Sequence, residues 1–115
     1  MFIYQIKLPK DQDVEAFVTF MREEYIPDVL KKGPTRVGRV TELALLESSA
    51  ADHEFFLHVG WSGVPFSGHH HADKDEPPDV ARPDDEQIVR KFKSFGGHVQ
   101  SLGFYREVAA SNREG

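Results

Sequence analysis

The chain has 115 residues, of which 39% are hydrophobic and 11% aromatic, and its formal net charge is −5. This length fits one domain with its own core, and the absence of cysteine excludes disulfides and thiolate sites. The acidic balance disfavours nucleic acid, and no stretch has the length of a signal sequence or membrane span, so we expect no nucleic-acid or membrane partner and a cytoplasmic location.

A strand and a helix open the chain. Residues 2–9, FIYQIKLP, alternate in strand period, and Pro9 ends the strand. Asp11 is predicted to cap a helix whose apolar side chains recur at helical spacing as far as Tyr25. Pro27 is expected to end or kink that helix, with one further short turn after it.

Two more strands follow the Gly33-Pro34 break. Residues 35–47, TRVGRVTELALLE, are predicted to form the second strand, with Gly38 permitting a bend or bulge. Residues 53–61, HEFFLHVGW, are rich in aromatic and branched side chains and are predicted to form the third.

A long loop, a helix and a last strand complete the sequence. Residues 63–83 are predicted to form a long loop, which is a lid over a ligand, an arm that reaches over a dimer partner, or a disordered segment. Asp84 then caps the second helix, and Gly96 with Gly97 stops it. Residues 103–109, GFYREVA, are predicted to form the fourth strand, and 111–115 a frayed tail.

This order of elements, β-α-β-β-α-β, indicates an α+β protein with a ferredoxin-like, four-stranded antiparallel sheet and both helices on one face. Residues 1–110 are expected to form a single domain. The opposite sheet face carries apolar side chains too, and the predicted strands place Phe56, Val40 and Leu46 opposite the more apolar set. A second copy of the chain would cover them, so we expect a homodimer. Scattered apolar residues on a monomer's surface are the alternative.

Three local features resemble one family. They are EEYIPDVLKKGPTRVG around the end of the first helix, Trp61-Ser62 at the end of the third strand, and FYREV at 104–108. Together with the order of elements they are similar to the dimeric α/β-barrel proteins, which include antibiotic-biosynthesis monooxygenases, ethyl-tert-butyl-ether-degradation (EthD) proteins and haem-degrading monooxygenases. The resemblance implies a dimeric α/β barrel that binds a small organic molecule.

The three consecutive histidines at 69–71 admit two interpretations. His71 and Asp73 form the H-x-D half of a two-histidine, one-carboxylate metal site, for which His58 or His98 would be the third ligand. A solvated loop is the simpler interpretation, and we expect no metal.

Trp61, Tyr4 and Tyr25 are predicted to form an aromatic pocket between helices and sheet. Ordinary core packing is the alternative for all three. The resemblance implies a cofactor-independent monooxygenase that acts on an aromatic or polyketide-like metabolite, in which a substrate carbanion reduces dioxygen and no cofactor is needed. Such chemistry needs apolar walls, a base and a donor to an oxyanion.

Within that reaction we expect Trp61 and Tyr4 to form the walls, Tyr25 to be the donor, and His69 or His71 to be the base. The alternatives are a non-catalytic dimer that binds a metabolite or responds to stress, and a protein that binds and degrades haem.

Overall fold

The computed structural model describes residues 1–64 and 75–111. The strands are β1 (Phe2–Lys7), β2 (Gly38–Glu47), β3 (Glu54–Gly63) and β4 (His98–Phe104). The helices are α1 (Val14–Phe20), α2 (Ile26–Leu30) and α3 (Glu86–Ser94), with a π-helical turn at Met21–Tyr25 and a 3₁₀ turn at Asp79–Ala81. None of the helices in these two ranges is long and apolar enough to span a membrane.

The strands form one antiparallel sheet in the order β2-β3-β1-β4. The predicted α+β class and four-stranded antiparallel sheet are therefore confirmed, and the strand order is compatible with a ferredoxin-like fold. The register shifts at two places. In the β2–β3 pair it shifts between Val40 and Glu42, and in the β1–β4 pair it shifts between Ile3 and Tyr4.

The helices and one sheet face enclose a single core. Alternation along β1 and β3 directs every second side chain to this face. The helices contribute their apolar stripe from the other side. The largest fully buried side chains are Tyr4, Tyr25, Phe2, Phe17, Phe55, Phe92, Ile6, Met21, Leu57, Val29, Val59 and Val89.

The first helical segment has a different N-cap from the predicted one and continues past Pro27, as the predicted further short turn requires. The Asp13 side chain, and not that of Asp11, caps α1 by accepting from the Ala16 amide at 3.2 Å. Pro27 does not end the helix, because the π-helical turn before it places Pro27 in the first turn of α2. A proline is tolerated there since the amides of a first turn need no intrahelical acceptor.

The second half of the chain corrects two further boundaries and confirms one. The N-cap of α3 is Asp85, whose side chain accepts from the Gln87 amide at 2.9 Å, and not Asp84. Gly96 has φ +70, so the predicted glycine stop for α3 is confirmed. The last strand lies at His98–Phe104 rather than 103–109, because β1 selects the segment that pairs with it.

The described end of the long loop, residues 75–85, is packed against the core; we call it the 75–85 segment. The sequence predicted neither helix nor strand here, yet it contains the 3₁₀ turn and its Pro77, Pro78, Val80, Ala81 and Pro83 are buried. Its three prolines already restrict the backbone in the unfolded chain, so less conformational entropy is lost when this segment becomes ordered.

The other sheet face has no covering element among the described residues. Register places Ile3, Ala44, Leu46 and Phe56 on this face, between polar neighbours such as Gln5 and His58. Leu46 is 45% exposed. The single chain thus presents the mixed apolar and polar face expected from the sequence. Val40, which was predicted to lie on this face, instead pairs with Trp61 and packs against the core, because the register shifts between Val40 and Glu42.

Candidate ligand-binding site

A cavity of about 320 Å³ opens between the start of β2, the end of β3 and the 75–85 segment. We call it the Trp61 cavity. Ligand pockets commonly measure about 300–1,000 Å³, so this cavity fits one small molecule. Within residues 1–64 and 75–111 its lining consists of Lys32, Gly33, Thr35, Val37, Gly38, Arg39, Val40, Trp61, Asp79 and Val80.

Trp61 forms one wall of this cavity. It pairs with Val40 across the sheet, its ring lies edge-on to Phe2 with centroids 5.9 Å apart, and its indole Nε1 donates to the Val64 carbonyl at 3.3 Å. These contacts hold the ring in place while part of it stays accessible. A large, preoriented aromatic surface of this kind suits contact with an apolar ligand at low entropic cost.

Gly38 makes the position of the indole possible. A Cβ at this residue would lie 2.3 Å from the Ser62 carbonyl oxygen and 2.8 Å from an atom of the Trp61 ring. Its φ of +149 also favours glycine. Gly63, which pairs with Gly38 across the sheet, has φ +139, and a Cβ there would lie equally close to the backbone of Val37 and Gly38. The two glycines let β2 and β3 meet closely at the floor of the cavity.

Tyr25 connects the helices to the 75–85 segment. It is fully buried, and its hydroxyl donates to the Ala81 carbonyl at 2.6 Å. Burial, reinforced by the nearby Tyr4, raises the pKa of Tyr25, so it stays protonated. The bond fixes the 3₁₀ turn, and with it the Asp79 and Val80 wall of the cavity.

Tyr4 lies close to Tyr25 but has no comparable partner. Its side chain is buried, and its hydroxyl makes no hydrogen bond within the described structure. Burial, with a smaller contribution from the Asp79 carboxylate, raises the pKa of Tyr4. A buried hydroxyl without a partner is costly and rare, so this position is a candidate for a functional donor.

An ion-pair network holds the start of the 75–85 segment to α3. Glu76 accepts from Arg82 at 3.0 Å and from Lys93 at 2.7 Å. Those two bonds lower the pKa of Glu76, and the bond to Glu76 raises the pKa of Lys93. Together with the Tyr25 bond they position the segment that completes the cavity.

The predicted site residues divide into three groups. Trp61 lies in the cavity wall, while Tyr4 and Tyr25 lie in the buried core next to the 3₁₀ turn that borders the cavity. His69 and His71 lie outside the described residues. The roles proposed for all five residues stay predictions.

Sequence reasoning missed most of the cavity lining. Lys32, Val37, Arg39 and Asp79 were not singled out, because their proximity depends on how β2 and the 75–85 segment pack. The one signal in the sequence was the clustering of Gly33, Pro34 and Gly38 before Trp61's partner strand.

The described residues do not form a metal site. No group of three or more His, Cys, Asp or Glu side chains within 1–64 and 75–111 is arranged to hold a metal ion. His58 pairs with Ile3 and Ala44 on the uncovered sheet face, and His98 pairs with Lys7 at the sheet's other end. His71 and Asp73, the proposed H-x-D ligands, fall outside the described ranges.

Comparison of the chain with known protein families, curated proteins and solved structures finds no match. The resemblance to the dimeric α/β-barrel family therefore stays an interpretation of the sequence and of the compatible fold.

Proposed function

We propose that the protein binds a small, largely apolar organic molecule in the Trp61 cavity. The observation that carries the proposal is the cavity itself, where Trp61, Val37, Val40 and Val80 surround a space of ligand size and only a few polar groups reach it. An apolar pocket with a small number of polar groups is the usual form of a small-molecule site.

The only tryptophan of the chain provides a direct test. We expect the neutral dye N-phenyl-1-naphthylamine to bind one per chain and to receive excitation energy from Trp61. Trp61→Ala should weaken binding at least tenfold, measured by the dye's own fluorescence, because the aromatic wall is lost. Undiminished binding in that variant would refute the proposed site.

A cofactor-independent monooxygenase reaction is the activity we propose for such a ligand. A ring CH₂ would become a carbonyl while dioxygen supplies that oxygen atom and releases the other as water, so the four electrons balance. The fold class and the buried Tyr4 hydroxyl, kept protonated by its raised pKa, support a site that donates to an oxyanion. The Tyr25 hydroxyl is bonded to the Ala81 carbonyl, whereas that of Tyr4 has no partner among residues 1–64 and 75–111.

Oxygen uptake tests this activity. With a polycyclic hydroxyketone as substrate, we expect oxygen uptake equimolar with product formation in metal-free buffer. If either histidine is the base, the His69→Ala/His71→Ala double variant should lose this oxygen uptake. Binding without oxygen uptake would favour the alternative, a non-catalytic dimer that binds a metabolite or responds to stress.

The haem alternative needs an axial ligand at the cavity. The described histidines do not line it, and His69 and His71 lie outside the described ranges. A shifted Soret band on mixing with haem would favour this alternative over a cofactor-free site.

We also propose that a second copy of the chain covers the open sheet face. Its apolar members Ile3, Leu46 and Phe56 are spaced across three strands, and the polar residues between them suit a self-complementary contact. Light scattering should give twice the chain mass for the native protein. Phe56→Lys should yield a monomer, whereas Val108→Lys at a position 83% exposed should leave the dimer intact.

A further inference from the structure

Basic residues cluster at one side of the Trp61 cavity. Residues 31–41 contain Lys31, Lys32, Arg36 and Arg39 and no acidic residue, although the whole chain has a net charge of −5. Lys32 and Arg39 belong to the cavity lining. The local charge is therefore opposite to the average charge of the protein.

Lys32 is positioned to meet an anion. Its side chain is 29% exposed, and its Nζ lies 3.4 Å from Asp84 Oδ1, a carboxylate that is itself 77% exposed. An ion pair so open to water contributes little to stability. The ammonium can therefore exchange this partner for a ligand at small cost.

Arg39 differs from Lys32 in having no ion-pair partner within the described structure. It belongs to β2, next to Val40 and opposite Ser62. Arg39 is an exposed lining residue at the start of the edge strand β2, so its long side chain can meet a carboxylate or sulfonate at the mouth of the cavity.

Among the described lining residues one is acidic, and it lies on a different element from the two cations. Asp79 belongs to the 3₁₀ turn, whereas Lys32 follows α2 and Arg39 lies on β2. Trp61 and the valines form the apolar part of the lining. A ligand can thus place an anionic group near the two cations and its apolar body against the indole.

We infer that the Trp61 cavity takes a small aromatic molecule that carries an anionic group such as a carboxylate, with Lys32 and Arg39 recognising the anion. This inference rests on the proposed ligand site and adds the chemical class of the ligand.

A matched pair of probes tests it. 1-Naphthoate and 1-naphthamide share one ring system and nearly one size, and only the first is charged at neutral pH. Isothermal titration calorimetry of the full chain should give a dissociation constant for naphthoate about tenfold lower than that for naphthamide. A charge-assisted hydrogen bond at a rim open to water is expected to contribute this much. Added salt should reduce the preference.

Two pairs of variants locate the effect. Lys32→Gln and Arg39→Gln should each remove most of the naphthoate preference and leave naphthamide binding unchanged. The controls, Lys31→Gln and Arg36→Gln, remove the same charge at positions outside the cavity lining and should preserve it.

The outcomes separate the two proposals. Equal affinity for both probes would overturn the anion preference but leave the proposed cavity site intact. A preference that survives in Lys32→Gln and Arg39→Gln would overturn the recognition by these two residues. Failure of both probes to bind would overturn the proposed function and this inference together.

Discussion

Replacing Tyr4 or Tyr25 by phenylalanine removes the same atom from two neighbouring buried side chains, and we expect opposite effects on stability. In Tyr25→Phe the 2.6 Å bond to Ala81 is lost and a buried carbonyl keeps no partner. Unsatisfied buried groups cost about 1–3 kcal/mol, so the free energy of unfolding should fall by about 2 kcal/mol.

Tyr4→Phe should act in the other direction. The Tyr4 hydroxyl is buried without a partner among the described residues, so its removal ends a desolvation cost and breaks no bond with them. The free energy of unfolding should rise by about 1 kcal/mol, the lower end of the cost of burying a hydroxyl.

Urea denaturation measures both changes. Trp61 fluorescence and far-ultraviolet circular dichroism should give coincident transitions, and the midpoints should shift in opposite directions at unchanged slope. If Tyr4→Phe destabilised the protein as much as Tyr25→Phe, the Tyr4 hydroxyl would have a bonding partner in solution and the reasoning about it would be refuted.

Three further predictions concern the backbone and charges. Gly38→Ala should lower the free energy of unfolding by about 3 kcal/mol in thermal or urea unfolding, because the new Cβ would clash with the indole and a carbonyl at an unfavourable φ. Gly33→Ala, whose Cβ would meet no described atom within 4 Å, should change stability by less than about 0.5 kcal/mol. Asp13→Ala should cost about 1 kcal/mol and Asp11→Ala almost nothing, since only the first caps α1. Because the pKa of Glu76 is lowered on folding, its contribution to the free energy of unfolding is fully present above the unfolded pKa and is lost as pH falls through the folded pKa. Glu76→Gln should therefore cost about 1 kcal/mol or less at pH 7 and nothing at strongly acidic pH. An equal loss of stability at both pH values would contradict this account.

Local patterns predicted the parts of the fold that local physics decides. Burial alternates along β1 and along β3 as far as Val59, and Gly96 marks the end of α3, so the sequence predicted these features. β4 was placed too late because Phe104-Tyr105 are stronger strand formers than the preceding residues. Its true position depends on pairing with β1, which is a tertiary effect.

Pro27 and the 75–85 segment illustrate the same limit. The sequence signals a break at each, but a π-helical turn accommodates the proline and buried prolines pack the segment against the core. Of the candidate site, only Trp61 was predicted among the lining residues. The others approach it through the packing of elements distant in sequence, which one-dimensional periodicity does not encode.

Energy transfer from Trp61 to bound N-phenyl-1-naphthylamine tests the central claim most directly. We predict saturable transfer at one dye per chain, abolished by Val37→Phe, which fills the cavity, and retained in Val108→Phe, which alters an exposed side chain outside its lining. Dye that binds without receiving energy from Trp61, or that binds Val37→Phe as well as the native protein, would contradict a ligand site in the Trp61 cavity.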